Sequence, residues 1–284
     1  MIVFADESRK AELMEIWKQS FGDSDEYIRM FFDCNFSKIK VLVYEVDKKA
    51  VSVAYFLPAT YISEEDKSIL CWYLYAAATL PEFRNRGYFG QIMKTVSETF
   101  PEPVFLVPGE ESLISYYKKQ GMQVWQEAQS IEVALDAGMI STFCKDNSEF
   151  LCDNGKFKIY FKDLNATEYI SKRKDALSKS IHIAWNDHFM RYICHENKFC
   201  GGFQKEICVN GQKHITTYRV EGDVLKVLEM LPCKENLEQT HICIQALMEE
   251  NNCKKAVVCL QPTVMIIDKW DLCKERGYFN LTLG

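Results

Sequence analysis

Thr79-Leu80-Pro81-Glu82-Phe83-Arg84-Asn85-Arg86-Gly87-Tyr88-Phe89-Gly90 joins a long apolar run, Ile69–Thr79, to a stretch with helical spacing, Gly87–Thr99. The run before it lies between Lys67 and Pro81 and is rich in aromatics, which reads as a buried strand. The stretch after it puts Phe89, Ile92, Met93 and Val96 on one side of a helix. Between them stand two arginines and two glycines at a strand-to-helix turn. The free N–H groups of a first helical turn point outward there, and the helix dipole adds partial positive charge. Glycine lets the backbone approach a ligand closely, and Arg84 and Arg86 add formal charge. These residues suit a phosphate or a pyrophosphate. The same letters also serve as plain turn chemistry, so the neighbouring elements decide the reading.

Upstream, Ala11–Phe21 carries Leu13, Ile16, Trp17 and Phe21 at the spacing of one helical face. Asp23 followed by Glu26 has the form of a capping box, opening a second helix with Tyr27, Phe31 and Phe32 on its apolar side. Val41–Val46 and Val51–Leu57 predict two strands around the charged turn Asp47–Lys49. Downstream, Pro101 and Pro103 close the helix, and Val104–Val107 predicts a short strand of the kind covered on both faces. Glu110–Gln120 predicts a helix with Leu113, Ile114 and Tyr117 on a common face, stopped by Gly121. Val124–Leu135 then returns to an extended pattern.

This order, with the Arg-Gly loop after its longest strand, resembles the GNAT acetyltransferases (GCN5-related N-acetyltransferases). Their coenzyme-A motif reads Gln/Arg-x-x-Gly-x-Gly/Ala, and Arg84-Asn85-Arg86-Gly87-Tyr88 matches it through the first glycine. Phe89 stands where glycine or alanine is usual, and Gly90 follows one place late. About thirty residues on, Ser115-Tyr116-Tyr117-Lys118-Lys119-Gln120-Gly121-Met122 resembles the family's Phe/Tyr-Tyr-x-x-x-Gly-Phe helix ending. The resemblance implies that acetyl-CoA is the acetyl donor, with its pyrophosphate held by Arg84, Asn85, Arg86, Gly87, Tyr88, Phe89 and Gly90. It assigns the pantetheine arm to the backbone of Ala77, Ala78, Thr79 and Leu80. Ser112 stands where many relatives have a cofactor-contacting asparagine. Tyr117 takes the place of the general acid that protonates the departing thiolate, a contribution of ~10²–10⁴ in rate. The open alternatives are Tyr117 as a helix anchor with Tyr116 as the acid, and the three alanines as core packing. Glu110, Glu111 and the Gly284 carboxylate are candidates for the general base.

The second half repeats the order of elements. Thr167–Leu177 and Trp185–Cys194 predict helices, and Phe203–Val209 a strand ending in the Asn210-Gly211 turn. Ile215–Val220 and Val224–Leu231 predict a hairpin around Gly222, followed by a helix over Glu235–Asn251. The strand Ala256–Leu260 and a short helix near Ile267–Arg276 complete the series. At ~150 residues per domain, 284 residues allow two domains. The expectation is an α/β (α+β, mixed-sheet) protein of two tandem GNAT folds, the second degenerate. Its boundary is set near Asp136, giving a catalytic domain over 1–136 and a GNAT-like domain over 137–284. Pro232-Cys233-Lys234-Glu235-Asn236 offers no glycine where the second copy would need its loop, so that copy is expected to serve the acceptor site only. The layout resembles mycothiol-synthase-like and enhanced-intracellular-survival-type acetyltransferases.

Forty acidic against thirty-four basic side chains, a formal charge of −6, remove the general attraction to phosphate backbones, so no nucleic-acid partner is expected. Charges appear by the sixth residue, and the longest apolar stretch is too short to span a bilayer, so the expectation is a cytoplasmic protein with no membrane partner. Twelve cysteines include no C-x-x-C, and the cluster His188, Cys194, His195 and Cys200 matches no metal spacing. No metal is expected. The function implied is acetyl transfer to a primary amine, of a small molecule or a protein, by direct attack in a ternary complex. A non-catalytic coenzyme-A sensor and a two-domain aminoacyl transferase are the alternatives. Oligomeric state is left open.

Overall fold

The computed structural model describes residues 1–64, 67–136, 140–144, 149–152, 157–232, 237–269, 272 and 277–279. The first ten elements are β1 Ile2–Phe4, α1 Lys10–Phe21, α2 Asp25–Asn35, β2 Lys40–Val46, β3 Lys49–Ile62, β4 Ser68–Thr79, α3 Tyr88–Thr99, β5 Val104–Leu106, α4 Ser112–Lys119 and β6 Gln123–Gln126. There follow β7 Gln129–Ala134, β8 Ile140–Cys144, β9 Glu149–Cys152, β10 Phe157–Asp163, α5 Ala166–Leu177, β11 His182–Trp185 and α6 Asp187–Phe199. The chain continues through β12 Phe203–Val209, β13 Gln212–Glu221, β14 Val224–Leu231, α7 Leu237–Glu250, β15 Lys255–Gln261 and β16 Val264–Ile267.

Two compact units emerge, each with its own mixed sheet of eight strands among the described residues. The first takes in Met1–Gln126 together with Ile183–Asn186 and Thr263–Arg276. Its sheet runs β1-β2-β3-β4-β5-β16-β6, with β11 joined to β3 off that path. Neighbouring residues of a strand face opposite sides of a sheet, and β3 uses both. Tyr55 meets Trp17 of α1 and Phe31 of α2, at ring-centroid distances of 5.4 and 6.0 Å. Phe56 instead packs in the cluster that holds Ile92, Met93 and Val96 of α3. Helices therefore cover both faces, which is why Val104–Leu106 can be apolar throughout.

The second unit comprises Glu127–His182, Asp187–Pro262 and Gly277–Gly284, with the sheet β7-β15-β14-β13-β12-β10-β9-β8. It repeats the first: two helices, three antiparallel strands (β12, β13, β14), the crossover helix α7, and β15 parallel to β14. Only Pro262 and Thr263 separate β15 from β16, so this repeat has no helix in the place of α4. A buried polar knot ties it together. Glu229, fully buried on β14, accepts from Arg173 Nε (3.0 Å), from the Tyr278 hydroxyl (2.9 Å) and from the Tyr169 hydroxyl.

Each unit borrows from the half of the chain that mainly builds the other: the first sheet takes β11 and β16, and the second takes β7. The extended pattern expected over Val124–Leu135 divides at Glu127–Ala128: β6 closes the first sheet, and β7 pairs with β15 in the second. In return β16 lies between β5 and β6, with Met265 opposite Leu106 and Val124. Val264–Ile267 was not foreseen as a strand, because four apolar residues after a proline carry no period to read. The chain thus changes over from the first unit to the second at Gln126/Glu127 and returns to the first at Ile183–Asn186 and Thr263–Arg276, whereas the expected boundary is a single one near Asp136.

Smaller differences have local causes. Ser24, not Asp23, caps α2, accepting from Tyr27 N at 3.2 Å, while Asp23 accepts from Trp17 Nε1 at 2.7 Å. The helix expected from Trp185 starts at Asp187, since His182–Trp185 form β11. The connection after Asp136 contains the antiparallel pair β8 and β9. Residues 153–155, 233–236 and most of the expected helix near 267–276 lie outside the described residues, although Ile267 itself ends β16.

The strand exchange makes a testable demand. Met265→Ala removes a fully buried side chain and is expected to cost ~2–5 kcal/mol. Hydrogen exchange resolved by peptide should show the loss in β5 and β6, about 160 and 140 residues away in sequence. Acceleration confined to residues 127–262 would contradict the pairing.

Candidate functional site

β4 and β5 run parallel but pair only at Trp72↔Val104 and Tyr73↔Phe105. Beyond Tyr73, β4 continues to Thr79 with no ladder to β5. On its other edge the register with β3 slips, Tyr55 facing Tyr75 and Val53 facing Ala78, so that Ala76 and Ala77 form a bulge opposite Ala54. Ala76 has φ +47°, a left-handed conformation that alanine adopts only when its surroundings impose it. Ser52 braces the strand just past the bulge. Its hydroxyl, buried on β3, lies 3.1 Å from the Ala78 carbonyl and 2.8 Å from the Thr79 hydroxyl.

The Arg-Gly loop comes next, and its chain reversal rests on two left-handed residues, Asn85 (φ +61°) and Gly87 (φ +77°). Gly87 is the N-cap of α3, and no side chain caps the helix. The first intrahelical bond is Gln91 N to Gly87 O at 3.1 Å, which leaves the N–H groups of Tyr88, Phe89 and Gly90 without an intrahelical acceptor. Tyr88 pegs the loop to β2 by stacking on Tyr44, centroids 4.5 Å apart. Arg84 Nε donates to the Thr79 carbonyl at 3.0 Å, folding the loop back on the end of β4.

The open end of the β4–β5 pair, the loop and α4 enclose a cavity of about 550 Å³. Of the residues singled out in the sequence, Ala77, Ala78, Thr79, Arg84, Asn85, Gly87, Tyr88, Phe89, Gly90 and Tyr117 line it. Leu80, Arg86 and Ser112 do not. The Leu80 N–H bonds to Val51 O, Arg86 reaches back to the Glu82 carbonyl over the Phe83 ring, and the Ser112 hydroxyl donates to Glu110 at 3.1 Å. Phe83, Leu113, Tyr116 and Gln120 complete the lining. Sequence reasoning passed over Leu113 and Gln120 as face and end of a helix, and only the turn of α4 toward α3 reveals them.

Phe89 is buried in the α3 core, its ring 6.1 Å from Tyr116 and 6.3 Å from Tyr117. Its side chain therefore serves as cavity floor, and its N–H remains in the helix-start cradle. Burial pushes the Tyr117 phenol up to about 12, with a smaller contribution from the neighbouring Tyr116, and raises Tyr116 as well. Tyr117 is thus protonated across the neutral range. Glu110 and Glu111 are exposed at the start of α4, and Gly284 lies outside the described residues. Among the described residues no group of three or more His, Cys, Asp or Glu is arranged to hold a metal, and no helix is long and apolar enough to cross a membrane.

Residues 2–125 match the family model of the acetyltransferase (GNAT) domain. No curated protein matches the sequence. Among solved structures, a probable N-acyltransferase from Enterococcus faecalis V583 superposes with a TM-score of 0.66 at 10% identity, over 94% of this chain and 72% of that one. A GCN5-related N-acetyltransferase from Kribbella flavida gives 0.61 at 12% identity, over 94% and 70%. Eis1 from Mycobacterium abscessus gives 0.58 at 8% identity, over 92% and 66%. The chain has the tandem GNAT fold of these structures, and the match to the acetyltransferase (GNAT) family model lies within its first unit.

The raised phenol has a consequence for stability. Its folded-state value lies above the ordinary ~10 of a free tyrosine, so its contribution is complete below pH 10 and is lost as pH rises toward 12. Urea midpoints measured at pH 9 and pH 11 should therefore fall further for the wild type than for Tyr117→Phe. Equal falls would show that the phenol is not held in this buried state.

Proposed function

We propose that the protein is an N-acetyltransferase that binds acetyl-CoA in the cavity between β4, the Arg84–Gly90 loop and α4, and acetylates a primary amine directly. The observation that carries this reading is the shared opening of three features: the end of β4 left unpaired on its β5 edge, the start of α3 with no side-chain cap, and Tyr117. A pyrophosphate fits a helix start whose N–H groups lack acceptors and whose Gly87, with no atom near its β-position, permits close approach. The free edge of β4 past Tyr73 offers backbone groups to the amides of a pantetheine arm in the manner of an added strand.

In the reaction the amine nitrogen attacks the thioester carbonyl carbon, the C–S bond breaks, and the electron pair leaves with sulfur. Tyr117 Oη–H gives its proton to that thiolate, the attacking nitrogen loses its extra proton to water as the amide forms, and water returns a proton to Tyr117. Burial keeps the phenol protonated and so available as a donor, and the same surroundings disfavour a bare thiolate, which favours its taking up a proton; the phenolate left behind is disfavoured there too and is reprotonated from solvent. The acceptor is a small-molecule or protein amine, steered mildly by the overall negative charge if it is cationic. We place the protein in the cytoplasm, with no nucleic-acid or membrane partner and no metal in the chemistry. The second repeat, without a counterpart of α4, carries no donor site of its own.

Calorimetric titration of acetyl-CoA should give micromolar binding that Arg84→Ala/Gly87→Glu abolishes. Once an amine is found by screening, Tyr117→Phe should lower kcat by ~10²–10⁴ with little change in the KM for acetyl-CoA. Binding without any effect of Tyr117→Phe on turnover would turn the reading toward a coenzyme-A-binding module. No binding would refute it.

A further inference from the structure

Gly90 lies in the first turn of α3 with ordinary helical geometry, where glycine is a poorer choice than alanine. Its backbone does not require it. A β-carbon at this position would stand 2.9 Å from Gln120 Oε1, 3.7 Å from its Cδ and 3.8 Å from its Nε2. Gln120 caps the C-terminal end of α4, with its N–H bonded to the Tyr117 carbonyl at 2.9 Å, and its side chain extends over the first turn of α3. The carboxamide lines the cavity beside Gly87, Tyr88 and Phe89 and makes no hydrogen bond among the described residues. A polar side chain fitted against a glycine, beside three free backbone donors and with its own donors unused, has the chemistry of an anion contact.

We propose, resting on the assignment of this cavity to acetyl-CoA, that Gln120 binds the pyrophosphate. Its amide group donates to a phosphate oxygen alongside the N–H groups of Tyr88, Phe89 and Gly90, and Gly90 is small to give the carboxamide its place. This also accounts for the glycine falling one position later than the family pattern. Phe89 fills the core beneath the loop, and residue 90 is the one that meets Gln120.

The test compares acetyl-CoA with S-acetylpantetheine, which keeps the thioester and lacks the pyrophosphate, by calorimetry on the full chain. Gln120→Leu should weaken acetyl-CoA binding ~10-fold and Gln120→Glu ~100-fold, with S-acetylpantetheine affinity unchanged within about twofold. Gly90→Ala should displace the carboxamide and match Gln120→Leu, and the double variant should be no weaker than either single one. Thermal melts confirm that each variant is folded, and Gln120→Glu keeps the side-chain shape if the leucine does not pack. Equal losses for both ligands, unchanged acetyl-CoA binding in Gln120→Leu, or additive effects of the two substitutions would overturn the role of Gln120. Failure of the wild type to bind acetyl-CoA while remaining folded would instead remove the cofactor assignment beneath it.

Discussion

The bulge at Ala76–Ala77 is the constraint on which the site depends. A fully paired parallel sheet closes its own backbone groups and leaves no opening for a ligand. Here the register with β3 slips at Ala54, Ala76 takes a left-handed φ, and pairing with β5 has already stopped at Tyr73. The strands part, and the backbone of β4 past that point faces a cavity. Everything else in the first unit supports this departure. Ser52 fixes the strand beyond the bulge, β16 and β6 hold the far side of β5, and the aromatic cluster around Trp17 and Tyr55 fills the sheet face behind.

The loop after β4 is held with equal economy of means. Asn85 and Gly87 turn the chain, Arg84 ties it to Thr79, and Tyr88 stacks on Tyr44. None of these contacts uses the first three N–H groups of α3, so the helix start keeps its donors for something outside the chain. Phe89, which departs from the family pattern, costs the cradle nothing because its ring points to the core while its N–H stays in place. The aromatic set Phe89, Tyr116 and Tyr117 then gives the cavity an apolar wall, and that wall is what raises the Tyr117 phenol.

Much of this was legible in the residues. The order of helices and strands from Ala11 to Gly121, the position of the Arg-Gly turn and the stop of the Tyr117 helix before Gly121 all follow from apolar spacing and turn chemistry. The β12 strand and the turn at Gly222 were equally plain. Three things were not. The exchange of β7 and β16 is set by long-range pairing, to which short apolar runs such as Val264–Ile267 are blind. The choice of Ser24 over Asp23 as a cap depended on Trp17 claiming the aspartate. The place of Gln120 depended on how α4 packs against α3, a long-range contact that helix spacing does not carry.

The account stands on one claim, that an acyl-CoA lies in the opening made by the β4 bulge with its pyrophosphate on the start of α3. A crystal structure with coenzyme A tests it most directly. The pyrophosphate oxygens are predicted to lie within hydrogen-bonding distance of the N–H groups of Tyr88, Phe89 and Gly90, and the pantetheine along Ala77–Thr79 with its sulfur toward Tyr117. Coenzyme A bound elsewhere, or with its diphosphate away from α3, would contradict the account.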